Sequence, residues 1–120
     1  MSTLIDVSTP LYQGKRTTYN NSLQLPDDGF QYEIIDGVMF MVPTPYREHQ
    51  NLAGKLFRYL DEYVEKNQLG IVQMAPRDVK FSETVKYQPD LLFIDKTKKH
   101  IDQRECVEGS PNLIVEILSL

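Results

Sequence analysis

The sequence predicts a small mixed α+β domain. Three observations support this fold class: a β-hairpin pattern in FQYEIIDGVMFMV, one amphipathic helix after it, and a series of short β-prone runs that follow. The 120 residues are enough for one domain, and 41% hydrophobic with 25% charged residues is an ordinary globular composition. We expect a polar arm over residues 1–26, with at most one helical turn, and the domain itself over residues 27–120.

The hairpin centres on Asp36-Gly37, a dipeptide preferred in two-residue type I′ turns. That turn places Glu33 opposite Phe40 on one face of the hairpin. Glu33 is the only charge inside the first strand, so it is either a functional carboxylate or a solvent-facing hairpin residue. The other face of the hairpin is apolar and comprises Tyr32, Ile34, Met39 and Met41.

The helix is predicted within PTPYREHQNLAGKLFRYLDEYVEKNQLG. Thr44 suits the N-cap, Pro45 suits the first helical position, and Gly70 is the expected stop. His49 lies three residues before Leu52 and therefore belongs to the N-terminal end of the apolar face. Such a histidine is either hydrogen-bonded near the helix start or a functional group. The apolar stripe contains Leu52, Ala53, Leu56, Phe57, Leu60, Tyr63 and Val64.

Strand patterns follow the helix: IVQMAP, RDVKF, a turn near residues 82–84, and VKYQPDLLFID. The segment KTKKHIDQRECVEGSPN is polar and predicts a loop, with a short strand near Ile101. The last run, NLIVEIL, is continuously apolar except for one glutamate, which is typical of a strand buried on both faces.

Two acidic residues stand out because of the strands that carry them. Asp90 follows Pro89 and opens the run LLFI, and Glu116 interrupts the last apolar run. If the two strands are neighbours, they lie about 4.8 Å apart, and their carboxylates can share a hard cation such as Mg²⁺ or Mn²⁺. The cation would activate a water for attack on a phosphodiester. The alternatives are a turn aspartate at Asp90 and a solvent-facing edge residue at Glu116.

Net charge, cysteine content and the length of apolar runs restrict the functions expected of this chain. The net charge of −4 argues against a broad, sequence-independent nucleic-acid surface, although a local basic groove remains open. The stretch KTKKH (96–100) is either such a phosphate contact or a solvated loop. Cys106 is the only cysteine, which excludes an internal disulfide and predicts a small buried side chain. There is no signal peptide and no membrane-length apolar run, so we expect a cytoplasmic protein without membrane association.

Three segments together resemble a known family. FQYEIIDGVMFMVPTPYREHQNLAGKLFRYL, YQPDLLFID and SPNLIVEILS are similar, in order and spacing, to the Uma-type family of putative restriction endonucleases, which belongs to the PD-(D/E)XK nuclease superfamily. The resemblance covers residues 17–119 and implies a restriction-endonuclease-like mixed sheet with flanking helices. It also implies a Mg²⁺-dependent (or Mn²⁺-dependent) endonuclease acting on DNA.

The resemblance assigns a role to each candidate. Asp90 matches the aspartate of the PD motif and Glu116 the acidic residue of (D/E)XK, both as metal ligands. The backbone carbonyl of Ile117 is expected as a further ligand. Glu33 matches a family glutamate near the metal, and His49 matches a histidine that contacts the metal water or the substrate.

The chain departs from the family pattern after Glu116. The second position after it, a lysine in the simple motif, is Leu118, and the chain ends at Leu120, before the helix that carries a displaced lysine in the family. We interpret the chain as C-terminally truncated, with an apolar strand that favours a homodimer or other self-association. Two alternatives remain: a non-enzymatic nucleic-acid- or protein-binding module of this fold, and a degenerate fragment that only folds.

Overall fold

The computed structural model describes residues 9–118 and confirms the mixed α+β class. Expectations for residues 1–8 of the arm and for residues 119–120 lie outside this range. Within it the elements, in chain order, are α1 (Tyr19–Ser22), β1 (Tyr32–Ile35), β2 (Val38–Met41), α2 (Arg47–Lys66), β3 (Gly70–Met74), β4 (Val79–Ser82), β5 (Val85–Tyr87), β6 (Leu91–Asp95), a 3-10 helix (Lys96–Ile101), β7 (Val107–Glu108) and β8 (Leu113–Val115).

The strands form two sheets. The larger sheet has the order β2-β1-β5-β4-β7, and all its pairs are antiparallel except β4 with β7. The smaller sheet is antiparallel with the order β3-β6-β8. One core cluster draws on strands of both sheets and therefore holds them together; its members are Val79, Leu92, Ile94, Ile101 and Val107.

The hairpin prediction is confirmed in detail. Asp36 and Gly37 have φ angles of 50° and 77°, as a type I′ turn requires, and Glu33 lies opposite Phe40. The predicted apolar face packs into a second core cluster. That cluster contains Tyr32, Ile34 and Met39, together with Tyr19 and Cys106, and Met41 packs against it.

The described part of the arm packs along the outer edge of the hairpin. Gly14 donates its N–H to the carbonyl of Met39, and Met39 donates its N–H to the carbonyl of Lys15, each at 2.8 Å. The predicted single helical turn is α1, in which Tyr19 is buried. These residues cover an edge of the sheet that would otherwise present unpaired backbone groups. The domain boundary at residue 26 stays a prediction.

The helix α2 begins later than predicted. Its N-cap is Tyr46 rather than Thr44, and it ends at Lys66, with Gly70 opening β3. Its inner face packs on β3 and includes the buried Ala53 and Val64. Two residues of the predicted stripe, Leu52 and Tyr63, are exposed, because one small sheet covers only part of the helix. No helix in the described range is both long and apolar enough to span a membrane.

Two further predictions are wrong. The last apolar run is not buried on both faces: β8 has three residues and lies at a sheet edge, and Leu113 and Ile114 are exposed. The residues around Ile101 form the end of a 3-10 helix rather than a strand. At β8 the apolar run packs on one side only, which local sequence does not distinguish from full burial.

Candidate active site

Asp90 and Glu116 meet at the same end of the smaller sheet. Leu91 of β6 is paired with Val115 of β8, so Asp90, one residue before Leu91, and Glu116, one residue after Val115, continue the antiparallel register as opposite positions. Opposite residues of an antiparallel pair project to the same face. The predicted neighbourhood of the two acidic strands is therefore present.

The Asp90 carboxylate accepts one backbone hydrogen bond and contacts one histidine ring. Its Oδ2 accepts the backbone N–H of Ile117 at 2.7 Å, and its Oδ1 lies 3.2 Å from Nε2 of His49. Its backbone carbonyl accepts the N–H of Ala75 at 3.0 Å. The side chains of His49 and Asp90 are 14% and 16% exposed, so this contact is shielded from water but still reachable. The structure thus brings together three residues predicted for the site.

His49 reaches the site from the first turn of α2. Ala53 lies one turn later on the same face of α2 and is buried. The His49 ring, on that same face, is therefore directed toward the sheet. Its Nδ1 atom is buried and has no hydrogen-bond partner among the described residues, while Nε2 faces Asp90. Buried polar atoms without a partner are rare and occur at functional sites, so this nitrogen is free to serve a ligand or a water.

Glu33 approaches from the larger sheet. Its Oε2 accepts the backbone N–H of Gln88 at 2.8 Å, two residues before Asp90. Its negative charge also acts on Glu116. The hairpin carboxylate therefore lies close enough to the two strand carboxylates to act on them electrostatically.

Burial and the neighbouring acidic groups change the pKa of Glu116. Partial burial raises the pKa of Glu116 from 4.5 to about 7, and the negative charges of Asp90 and Glu33 add to the increase. A hydrogen bond with Asp90 further raises this pKa, and the charge of His49 opposes the change. Near neutral pH Glu116 therefore carries a proton part of the time, as expected for a partly buried carboxyl group beside other carboxylates.

The side chains at this site fit a hard divalent cation that is bound through two carboxylates. Within residues 9–118 no group of three His, Cys, Asp or Glu side chains is arranged to hold a metal ion. Mg²⁺ needs fewer protein ligands, because it retains waters and binds through one or two carboxylates. Asp90 and Glu116, whose mutual repulsion raises a pKa, supply those two. Ile117 contacts Asp90 through its N–H; the expected role of its carbonyl stays a prediction.

Neither strand lysine faces this site. Lys86 lies opposite Ile34, and Lys80 lies opposite Lys86, so both share the face of the buried Ile34. Glu33, one residue before Ile34, projects to the other face. The contacts agree: Lys86 donates to the carbonyl of Tyr32 at 2.5 Å. Leu118, where the simple motif has lysine, is 85% exposed.

The basic stretch 96–100 lies away from the carboxylates. It follows Asp95 at one end of β6, whereas Asp90 precedes the other end. At about 3.4 Å per residue the two ends are about 17 Å apart. A direct role for this stretch at the acidic site is therefore not supported. Cys106 is a buried free thiol, as predicted.

One contributor was missed at the sequence level. Gln88 carries the N–H that binds Glu33, and its side chain donates to Gln31 and Asp78. The sequence placed Gln88 two residues before Asp90, which was the one indication of a role. A single glutamine between two strands shows no pattern from which its hydrogen-bond partners can be predicted.

Comparison with known proteins supplies the family. The model of the family Uma2, described as "Putative restriction endonuclease", matches residues 19–120. Among curated proteins there is no significant match. The matched range includes β1, α2, β6 and β8, and with them every candidate residue above. The chain therefore belongs to the Uma2 family, described as putative restriction endonucleases.

Proposed function

We propose that this chain is a Mg²⁺-dependent or Mn²⁺-dependent endonuclease that hydrolyses DNA phosphodiester bonds. The observation that carries the proposal is the opposition of Asp90 and Glu116 across β6 and β8, with Ile117 and His49 in contact with Asp90. Family membership supports a nuclease reaction. A cytoplasmic location and a homodimer remain predictions alongside it.

Each residue has a distinct role in the proposed reaction. Asp90 and Glu116, with the carbonyl of Ile117, would hold the cation, which when bound activates a water and neutralises charge on the phosphate. His49 orients Asp90 through Nε2. Glu116 must release its proton before it can act as a ligand, and its pKa of about 7 makes that release possible at neutral pH. Glu33 adds negative charge that favours the cation.

Calorimetry with Mn²⁺ and Mg²⁺ tests the proposal directly. The wild type is expected to bind, Asp90→Ala and Glu116→Ala to lose the binding signal, and the exposed-helix control Glu62→Ala to retain it. Cleavage of supercoiled plasmid should follow the same order. Absence of any divalent-cation binding in the wild type would refute the proposal.

A second candidate function is a non-enzymatic nucleic-acid- or protein-binding module of the same fold. The observation that favours it is the orientation of the two strand lysines, because Lys80 and Lys86 both face away from Glu33. A nuclease uses such a lysine to stabilise developing negative charge. DNA binding that is unchanged in Asp90→Ala and Glu116→Ala, without cleavage by the wild type, would select this function.

A further inference from the structure

A second polar cluster lies beneath the hairpin, on the face of the larger sheet opposite Glu33. Asp78 Oδ1 accepts the side-chain amide of Gln88 at 2.7 Å and lies 3.5 Å from Nζ of Lys86. The same Gln88 amide donates to Oε1 of Gln31 at 2.9 Å. Nζ of Lys86 also donates a hydrogen bond to the backbone carbonyl of Tyr32.

Two polar side chains of this cluster are buried, so its free energy depends on how completely they are hydrogen-bonded. Lys86 and Gln88 are only 8% and 9% exposed. A buried ammonium or amide is costly unless its donors are bonded, so few arrangements of the cluster have low energy. The segment 86–90 is therefore held in one conformation, with Pro89 fully buried inside it.

Gln88 connects this cluster with the candidate site. Its side chain donates to Asp78 in the cluster, while its backbone N–H donates to Oε2 of Glu33. Asp90 follows two residues later and contacts His49. The hydrogen bonds of the Gln88 side chain and of its backbone N–H therefore both restrain the short segment that leads to Asp90.

We propose that Asp78 is a positioning residue of the site: through the Gln88 side chain it sets the backbone N–H that orients the Glu33 carboxylate and the segment that presents Asp90. Lys86 and Gln31 support Asp78 in this role. The part of the inference that concerns cation affinity rests on the proposed function. The part that concerns the geometry of Gln88 and Glu33 does not.

The chain offers a closely matched control for Asp78. Asp102 likewise accepts a glutamine amide and a cation: Oδ1 of Asp102 accepts Nε2 of Gln73 at 2.9 Å and Nη2 of Arg77 at 2.8 Å. The two aspartates have similar side-chain exposure, 23% for Asp78 and 24% for Asp102. Among the described residues, neither Gln73 nor Arg77, the two partners of the Asp102 carboxylate, forms a hydrogen bond with Glu33 or Asp90.

The first experiment measures Mn²⁺ affinity by calorimetry well below the unfolding temperature. Asp78→Ala is expected to lower the affinity about tenfold, Asp102→Ala to change it less than about twofold, and Asp78→Asn, which keeps an acceptor for Gln88, to recover part of the loss. Equal losses in Asp78→Ala and Asp102→Ala would overturn the proposal. If Asp78→Ala does not fold, Gln31→Ala, which keeps the Lys86–Asp78 pair, is expected to give a smaller loss of the same kind.

The second experiment needs no metal and separates this inference from the proposed function. The NMR signal of the Gln88 amide proton is recorded with and without Glu33→Gln. In the wild-type background the substitution should shift this signal; in the Asp78→Ala background, or in Gln31→Ala if that variant does not fold, the shift should be at least about twofold smaller. An equal shift in both backgrounds would overturn the positioning role, even in a protein that binds Mn²⁺. A wild type without Mn²⁺ binding would refute only the nuclease.

Discussion

The Asp90 carboxylate accepts the backbone N–H of Ile117 at 2.7 Å, which ties the segment after β8 to the start of β6. One side chain thereby fixes two candidate ligands, itself and Glu116, at the same end of a three-stranded sheet. Because β8 has only three residues, this bond is a substantial part of what holds it in register.

Removal of the Asp90 carboxylate should therefore destabilise the fold as well as the site. Asp90→Ala is expected to lower the free energy of unfolding by about 2 kcal/mol, since hydrogen bonds to a charged acceptor contribute about that much. Urea denaturation measures the change. Asp90→Asn keeps one acceptor oxygen and should lose less; equal losses would show that the bond to Ile117 contributes little.

Stability should depend on pH through Glu116. Its pKa is raised from 4.5 to about 7, so the native state favours the protonated form. The stabilisation is fully present below pH 4.5 and is lost as the pH rises through 7. Glu116 is an exposed residue, and solvent screening limits the effect to about 1 kcal/mol. Glu116→Gln should remove this pH dependence in urea titrations; an unchanged dependence would mean that other groups cause it.

Substitution of His49 should separate site function from stability. His49→Leu removes a buried Nδ1 that has no hydrogen-bond partner within residues 9–118, and this gain in free energy offsets the lost contact with Asp90. The free energy of unfolding should change by less than about 1 kcal/mol. Mn²⁺ affinity should fall about tenfold, because Asp90 loses the group that orients it. The exposed His100 supplies the control, and an equal loss in His100→Leu would contradict the prediction.

Gly70, the first residue of β3, should tolerate replacement poorly. A Cβ at this position would lie 2.0 Å from the carbonyl oxygen of Ile94, and its φ is +155°. Gly70→Ala should lower the free energy of unfolding by about 3 kcal/mol or more. Gly54→Ala in α2, where a Cβ meets nothing within 4 Å, should instead stabilise by about 0.5–1 kcal/mol. Thermal unfolding of both variants provides the comparison, and similar effects would contradict this account.

The edge of β8 provides a test of the predicted self-association. Leu113 and Ile114 are 44% and 38% exposed on a strand that is paired on one side only. If the chain forms a homodimer through this edge, Ile114→Lys should convert it to a monomer, because a charge there blocks strand pairing. Light scattering measures the mass. A wild type that is already monomeric would show that the homodimer prediction is wrong.

Much of the fold followed from local patterns. Asp36-Gly37 determined the hairpin register, because these residues favour the two positive φ angles of a type I′ turn, whose twist matches that of the two strands. The Pro89-Asp90 step and the run after it correctly located the start of β6. Less local features were missed: the start of α2 at Arg47 and the exposure of Leu52 depend on how much surface the sheet offers.

The sequence by itself determined the family, the hairpin and the identity of the acidic residues, because these depend on residue types at short spacings. Only the tertiary structure decided that Asp90 and Glu116 oppose each other, that Lys80 and Lys86 face away from Glu33, and that Gln88 connects a buried cluster to the site. Register between distant strands and the direction of a buried side chain arise from packing, and packing is a property of the whole core.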